Sequence, residues 1–301
     1  MLHEKSVKDQ EGGRVMEKNA TYKFKKNESF YIRDGWFEKA LNEIAEQKVP
    51  NVFSKNLGSK LLGIGSNMSK GLKYWLQAAN IIEPFVNKTE LTDFGKCIRD
   101  YDRYFETDFT WYLVHLFLCS NKYECPVFYA IFNSNVKKAK KSDLVNLIIS
   151  EVSDDSSEVK QSYVEDDLSI FLKSYLRNDE IYNPEDNYVC PLSGLKLLKK
   201  NGDFFEKQRP VLSKLSCLVI YYSLSIIYKF KSFNIEDSFT AINGPMFLFN
   251  LDKNGYLQYL EEMQRSGLVT INKTAGLNVV YFERKLSLRD IFEMNFGGLE
   301  K

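Results

Sequence analysis

Histidine is almost missing from the chain, with two among 301 residues. One is His3, close to the first residue, so histidine acid–base or metal chemistry would have to rest on His115. The five cysteines form no Cys-x-x-Cys pair, and their odd number and irregular spacing exclude a disulfide framework and a zinc ribbon, which places the chain in the reducing cytoplasm. Charge of one sign is also lacking. Lys and Arg number 41 against 40 Asp and Glu, so no global field can hold a polyanion and any nucleic-acid surface must be local. The longest nearly apolar run, residues 215–228, contains three serines and falls short of the ~20 residues that cross a bilayer. Residues 1–5 lead into no apolar stretch, so neither a signal peptide nor a membrane partner is expected. Phosphate loops are missing too: Gly63-x-Gly65 has no third glycine at the right spacing and no Gly-Lys-Ser/Thr after it.

What is present is enough apolar and aromatic material for substantial cores, 44% and 14% of residues. The pattern predicts a mainly α fold with small β-hairpins, in which winged helix-turn-helix modules are joined by a helical middle region. Residues 1–26 read as a loose tail. Residues 27–105 read as a winged helix-turn-helix. Helices are expected near 36–49, 54–62 and 66–79, then a short hairpin over 81–86 and 91–95. Residues 106–210 form the middle region. A helix at 110–119 should be buried on most sides, and residues 151–167, with seven acids against one lysine, read as an exposed acidic loop. Residues 211–301 repeat the helix, helix, hairpin order, with a long helix expected from Pro210 to about Phe230.

Between Glu46 and Glu83 there is no acid at all, while Lys48, Lys55, Lys60, Lys70 and Lys73 fall in the same stretch. The helix from Ser66 turns Asn67, Ser69, Lys70, Lys73, Tyr74 and Gln77 away from its apolar stripe, all able to bond phosphates or base edges. With Lys55 and Lys60 on the flank, these eight residues are the expected duplex-DNA contacts. The corresponding C-terminal helix carries Glu261 and Glu262 beside Arg265 and suits packing or a protein partner better. His115, Cys119 and Cys125 sketch a metal site without a fourth ligand, and Cys190 has no neighbouring base. No metal, cofactor or catalytic residue is therefore expected, and the chain reads as a non-enzyme. A protein adaptor that grips other subunits without touching DNA is the alternative.

Residues 27–36 (Asn27 through Trp36), 62–75 (Leu62-Gly63-Ile64-Gly65-Ser66 through Trp75) and 189–192 resemble the bacterial domain-of-unknown-function family 4007 from about Phe24 onwards. Two positions depart from the family pattern: a histidine is expected at Asn27 and a lysine at Ser66. The resemblance implies a setting beside sulfur-transfer, DNA phosphorothioation or phage-defence genes. It therefore implies a DNA-related accessory role, with other subunits of a modification or defence complex as further partners.

Overall fold

The computed structural model describes residues 21–46, 49–54, 57–152, 159–177, 189–274 and 277–297. Its first part is three helices, α1 (Trp36–Ala45), α2 (Leu57–Leu62) and α3 (Ser66–Ala78), then α4 (Asp93–Tyr101). Trp36, Phe37, Ala40, Leu41 and Ile44 fall on one face of α1 and are buried, as their spacing requires. Thr92 caps α4 by accepting from the Gly95 amide at 3.0 Å. The hairpin expected between α3 and α4 is cut down to a single antiparallel bridge, Ile82 to Leu91. Ile81 and Ile82 are buried while Val86 is open to solvent, so only the base of the excursion has a core to pack on.

The middle is built on α5 (Asp108–Ser120), buried along nearly its whole surface as expected. Around it lie α6 (Pro126–Phe132), α7 (Lys141–Val152), α8 (Gln161–Tyr175) and a 3-10 turn, Pro191–Leu195. The acidic-loop expectation fails from Gln161 onward; residues 153–158 lie outside the described ones. Acids averaged over the stretch hid a helical stripe of Val164, Leu168, Phe171 and Tyr175, all buried in α8. Asp167 is buried with them. The expected turn over residues 183–187 also lies outside the described residues.

Three short strands that carry little apolar signal, β1 (Lys138–Lys140), β2 (Leu198–Asn201) and β3 (Phe204–Lys207), form an antiparallel sheet in the order β1-β3-β2. The C-terminal part runs α9 (Cys217–Tyr228), β4 (Phe233–Asn234), α10 (Ile235–Ser238), α11 (Pro245–Leu248), α12 (Lys253–Arg265), β5 (Val269–Thr274), β6 (Leu277–Phe282) and α13 (Leu288–Phe296). The hairpin expected there forms, and β4 joins it in the order β4-β6-β5. The helix expected from Pro210 starts only at Cys217, because Ser216 turns its hydroxyl onto the Leu218 amide as a cap. Pro245 opens α11 rather than closing what precedes it, since its fixed φ suits a first helical turn.

The parts share one continuous core. Phe292 of α13 meets Phe94 of α4 edge-on at 6.1 Å and Phe109 of α5 at 5.2 Å. His115, fully buried on α5, accepts from Tyr175 of α8 (2.6 Å) and donates to the Leu248 carbonyl of α11 (2.7 Å). Burial drives its pKa down to about 4. The expected loose tail ends earlier than residue 26. Phe24 is buried, and the Lys25 amide donates to the Asp167 carboxylate at 2.9 Å, so residues 21–26 are part of the fold.

Candidate nucleic-acid interface

The site grows from the turn between α2 and α3. Gly63 sits at a φ of +60°, in the left-handed region that favours glycine, and lets the chain reverse there. Gly65 precedes α3 without a side-chain cap, and the first amides of α3 point outward with the positive end of the helix dipole. Ser66, Asn67 and Lys70 are exposed at this end, and Lys60 is exposed on the last turn of α2. The ammonium of Lys70 donates to Asn67 Oδ1 at 3.2 Å.

The rest of the helix face is recessed. It lines an open cavity of about 620 Å³ together with the segment carrying Lys23, Lys26 and Glu28, with Phe53 and Ser54, and with Glu124. Lys73 and Gln77 are half-buried in it, and the Lys73 ammonium lies 3.4 Å from the Phe85 carbonyl. Four lysines (23, 26, 70 and 73) face two glutamates around this space. Lys23 pairs with Glu124, which leaves Lys26, Lys70 and Lys73 as the lining cations not held by an acid among the described residues.

Two of the expected DNA contacts, Ser69 and Tyr74, line the cavity and are also engaged in packing. Ser69 is buried where α3 crosses α2; a Cβ on Gly58 would fall 2.5 Å from its hydroxyl oxygen. Tyr74 donates its hydroxyl to the Glu124 carbonyl at 2.6 Å and meets Cys125 Sγ at 3.3 Å, so it fastens α3 to the chain before α6. Burial pushes that phenol far above its ordinary range. Lys70, Lys73 and Gln77 line the cavity, Lys60 and Asn67 are exposed on α2 and α3, and Lys55 lies outside the described residues.

Sequence reading missed the wall, Lys23, Lys26 and Glu28, by assigning most of it to the tail. Three non-glycine residues here adopt left-handed backbone, Lys25 (φ 61°), Glu28 (φ 52°) and Ser29 (φ 66°). Such crowding persists only when neighbours over-determine it. Asp167 does so, accepting from the Lys25 amide and from Asn27 Nδ2 at 2.9 Å each, while Asn27 Oδ1 accepts from the Ser29 amide at 2.9 Å. A Cβ on Gly71 would lie 2.6 Å from the Asn27 carbonyl, so the loop rests directly on α3.

Among the described residues no group of three or more His, Cys, Asp or Glu side chains is gathered as a metal site. His115 and Cys119 are within 3.5 Å, yet both ring nitrogens already have partners and Cys125 is turned to Tyr74. Cys190 is buried, and its thiol is pushed up to about 12, chiefly by that burial. No helix is long and apolar enough to cross a membrane among the described residues.

Two solved structures share the fold. A magnesium ion-bound SspB crystal structure matches with a TM-score of 0.81 at 20% identity, over 91% of this chain and 88% of that one. An SspB crystal structure matches with a TM-score of 0.79 at 19% identity, over 93% and 90%. No curated protein matches the chain in sequence. The model of a family of proteins of unknown function, DUF4007, matches residues 24–295, and the chain belongs to that family.

Proposed function

We propose that the chain is a non-catalytic, DNA-binding accessory protein of a bacterial DNA-modification or phage-defence system. The observation that carries this reading is the open end of α3. An uncapped helix N-terminus lies beside Lys60, Asn67 and Lys70, with Lys26 and Lys73 behind it, and among the described residues from 49 to 82 there is no acid to repel a phosphate. In this reading α1–α3 act as a winged helix-turn-helix with a reduced wing. Only the first turn of α3 reaches base edges, since a helix-turn-helix reads bases with the N-terminal residues of its second helix. The resemblance that places the family beside phosphorothioation genes supports the setting.

Lys70→Glu with Lys73→Glu replaces two attractions by two repulsions on one helix face. Duplex-DNA affinity measured by fluorescence anisotropy at low salt should fall by more than about tenfold, with the far-UV circular dichroism unchanged. An unchanged isotherm would remove α3 as the DNA contact, and a wild type that shows no duplex affinity at low salt would favour the adaptor. Supercoiled plasmid incubated with the protein and magnesium should stay supercoiled; nicked or linear product would overturn the non-catalytic part.

A further inference from the structure

A second basic surface lies away from α3, on the small sheet. β3 is its central strand and pairs Glu206 with Lys138 on one side and Lys199 on the other; one step along the same face, Phe204 pairs with Lys140 and Asn201. Strand side chains alternate, so Lys138, Lys140, Lys199, Phe204, Glu206 and Asn201 share the outer face, while Ala139, Leu198 and Lys207 are buried beneath it. Lys141, Lys196 and Lys200 are exposed at its margins. Six lysines thus surround three acids, Asp143, Asp203 and Glu206, although the lysines come from two stretches far apart in the chain.

The acids are already occupied or peripheral. Glu206 accepts from Lys138 at 2.9 Å and Lys199 at 3.1 Å, which hold its carboxyl down at about 2. Asp143 accepts from the Lys140 amide at the start of α7. Phe204 gathers two like charges: the ammonium groups of Lys138 and Lys140 stand 4.7 and 5.5 Å from the centre of its ring. Two ammonium groups held over one ring repel each other, and an anion between them would relieve that repulsion.

α8 connects the two regions. Lys141 donates to Ser169 at 3.0 Å, and Lys25 pairs with Asp166 at 2.6 Å. Ser169 and Asp166 lie three residues apart on one face of α8, roughly 4.5 Å along its axis. Lys25 and Lys141 are thus anchored to neighbouring turns of α8.

We infer that the outer face of the β1-β3-β2 sheet is a second phosphate-binding surface for duplex DNA, with Lys138, Lys140 and Lys199 on the backbone and Glu206 as the brake on their charge. It uses none of the lysines of α3, so the two surfaces stand or fall separately. The probe is a fluorescein-labelled duplex of roughly 30 base pairs, nearly three helical turns, titrated with the full chain across a salt series. Lys138→Gln, Lys140→Gln and Lys199→Gln together should weaken binding by more than about tenfold and flatten the log-log salt slope by roughly 2 to 3. Glu206→Gln should act in the other direction, tightening binding roughly two- to fivefold by releasing two lysines. A merely structural sheet face would not give opposite signs, and the second variant decides the matter if the triple variant does not fold. Unchanged affinity in Glu206→Gln together with an unchanged slope in the triple variant overturns the inference. The Lys70/Lys73 variant measured alongside separates the readings. Loss there alone leaves only α3 as the interface, loss in the sheet variants alone leaves only the sheet, and no binding by the wild type removes both.

Discussion

At the scale of single residues, His115 is where burial and titration meet most directly. Its ring is enclosed by Phe132, Tyr175 and Phe249, and both nitrogens are satisfied only while the ring is neutral. The folded pKa of about 4 lies below the ordinary 6.5, so the unfolded chain takes up the proton first as pH falls. Stability from this group is intact above pH 6.5 and drains away down to about pH 4, by roughly 1.4 kcal/mol per pH unit. Urea midpoints of the wild type should drop between neutral pH and about pH 5 by the equivalent of about 2 kcal/mol more than those of His115→Gln. Equal pH dependence in the two proteins would show that the histidine titrates normally. The same residue illustrates what sequence can say: one histidine on an apolar helix is legible as a packed group, but its partners Tyr175 and Leu248 come from elements that no local pattern connects to it.

At the scale of elements, the decisive contact is α3 against the loop at residues 25–29. Gly71→Ala would press a methyl group to within 2.6 Å of the Asn27 carbonyl, a backbone atom that cannot step aside alone. We expect a loss of roughly 1–3 kcal/mol in stability and, because the loop carries Lys26 and follows directly on Lys23, weaker DNA binding as well. Thermal unfolding and anisotropy on the same sample check both, and an unchanged melting temperature would mean that the loop is not seated as described. The helices themselves were largely legible. The 3.6-residue stripes of α1, α3, α5 and α12 show plainly, and so do the lysines of α3. The wall of the cavity was not, because Asp167, which holds it, stands 142 residues after Lys25. The β1-β3-β2 sheet escaped for a different reason: its strands are three or four residues long, too short for a two-residue alternation to stand out.

At the scale of the whole molecule, the parts that the sequence suggests as separate regions share packing that a cut between them would tear. Phe292 of α13 is fully buried between α4 and α5, so Phe292→Ala should cost about 3–5 kcal/mol. The three tryptophans, Trp36, Trp75 and Trp111, all lie in the first part of the chain, which makes their fluorescence a reporter of the N-terminal half alone. If the core is cooperative, that fluorescence and far-UV circular dichroism should give one coincident urea transition, shifted together by the C-terminal substitution. Separated transitions, with the tryptophan signal unmoved by Phe292→Ala, would show independent domains.

The anchoring of the N-terminal loop also bears on synthesis. A chain leaving the ribosome presents α3 and its lysines long before α8 exists, yet Lys25 and Asn27 can be tied down only once Asp167 has emerged. Until then Lys25, whose backbone is left-handed, lacks the carboxylate that holds it, and the loop beside the basic face of α3 is only partly anchored. The cavity is thus completed late in translation, so a truncated nascent chain carries the charges of the site without its shape.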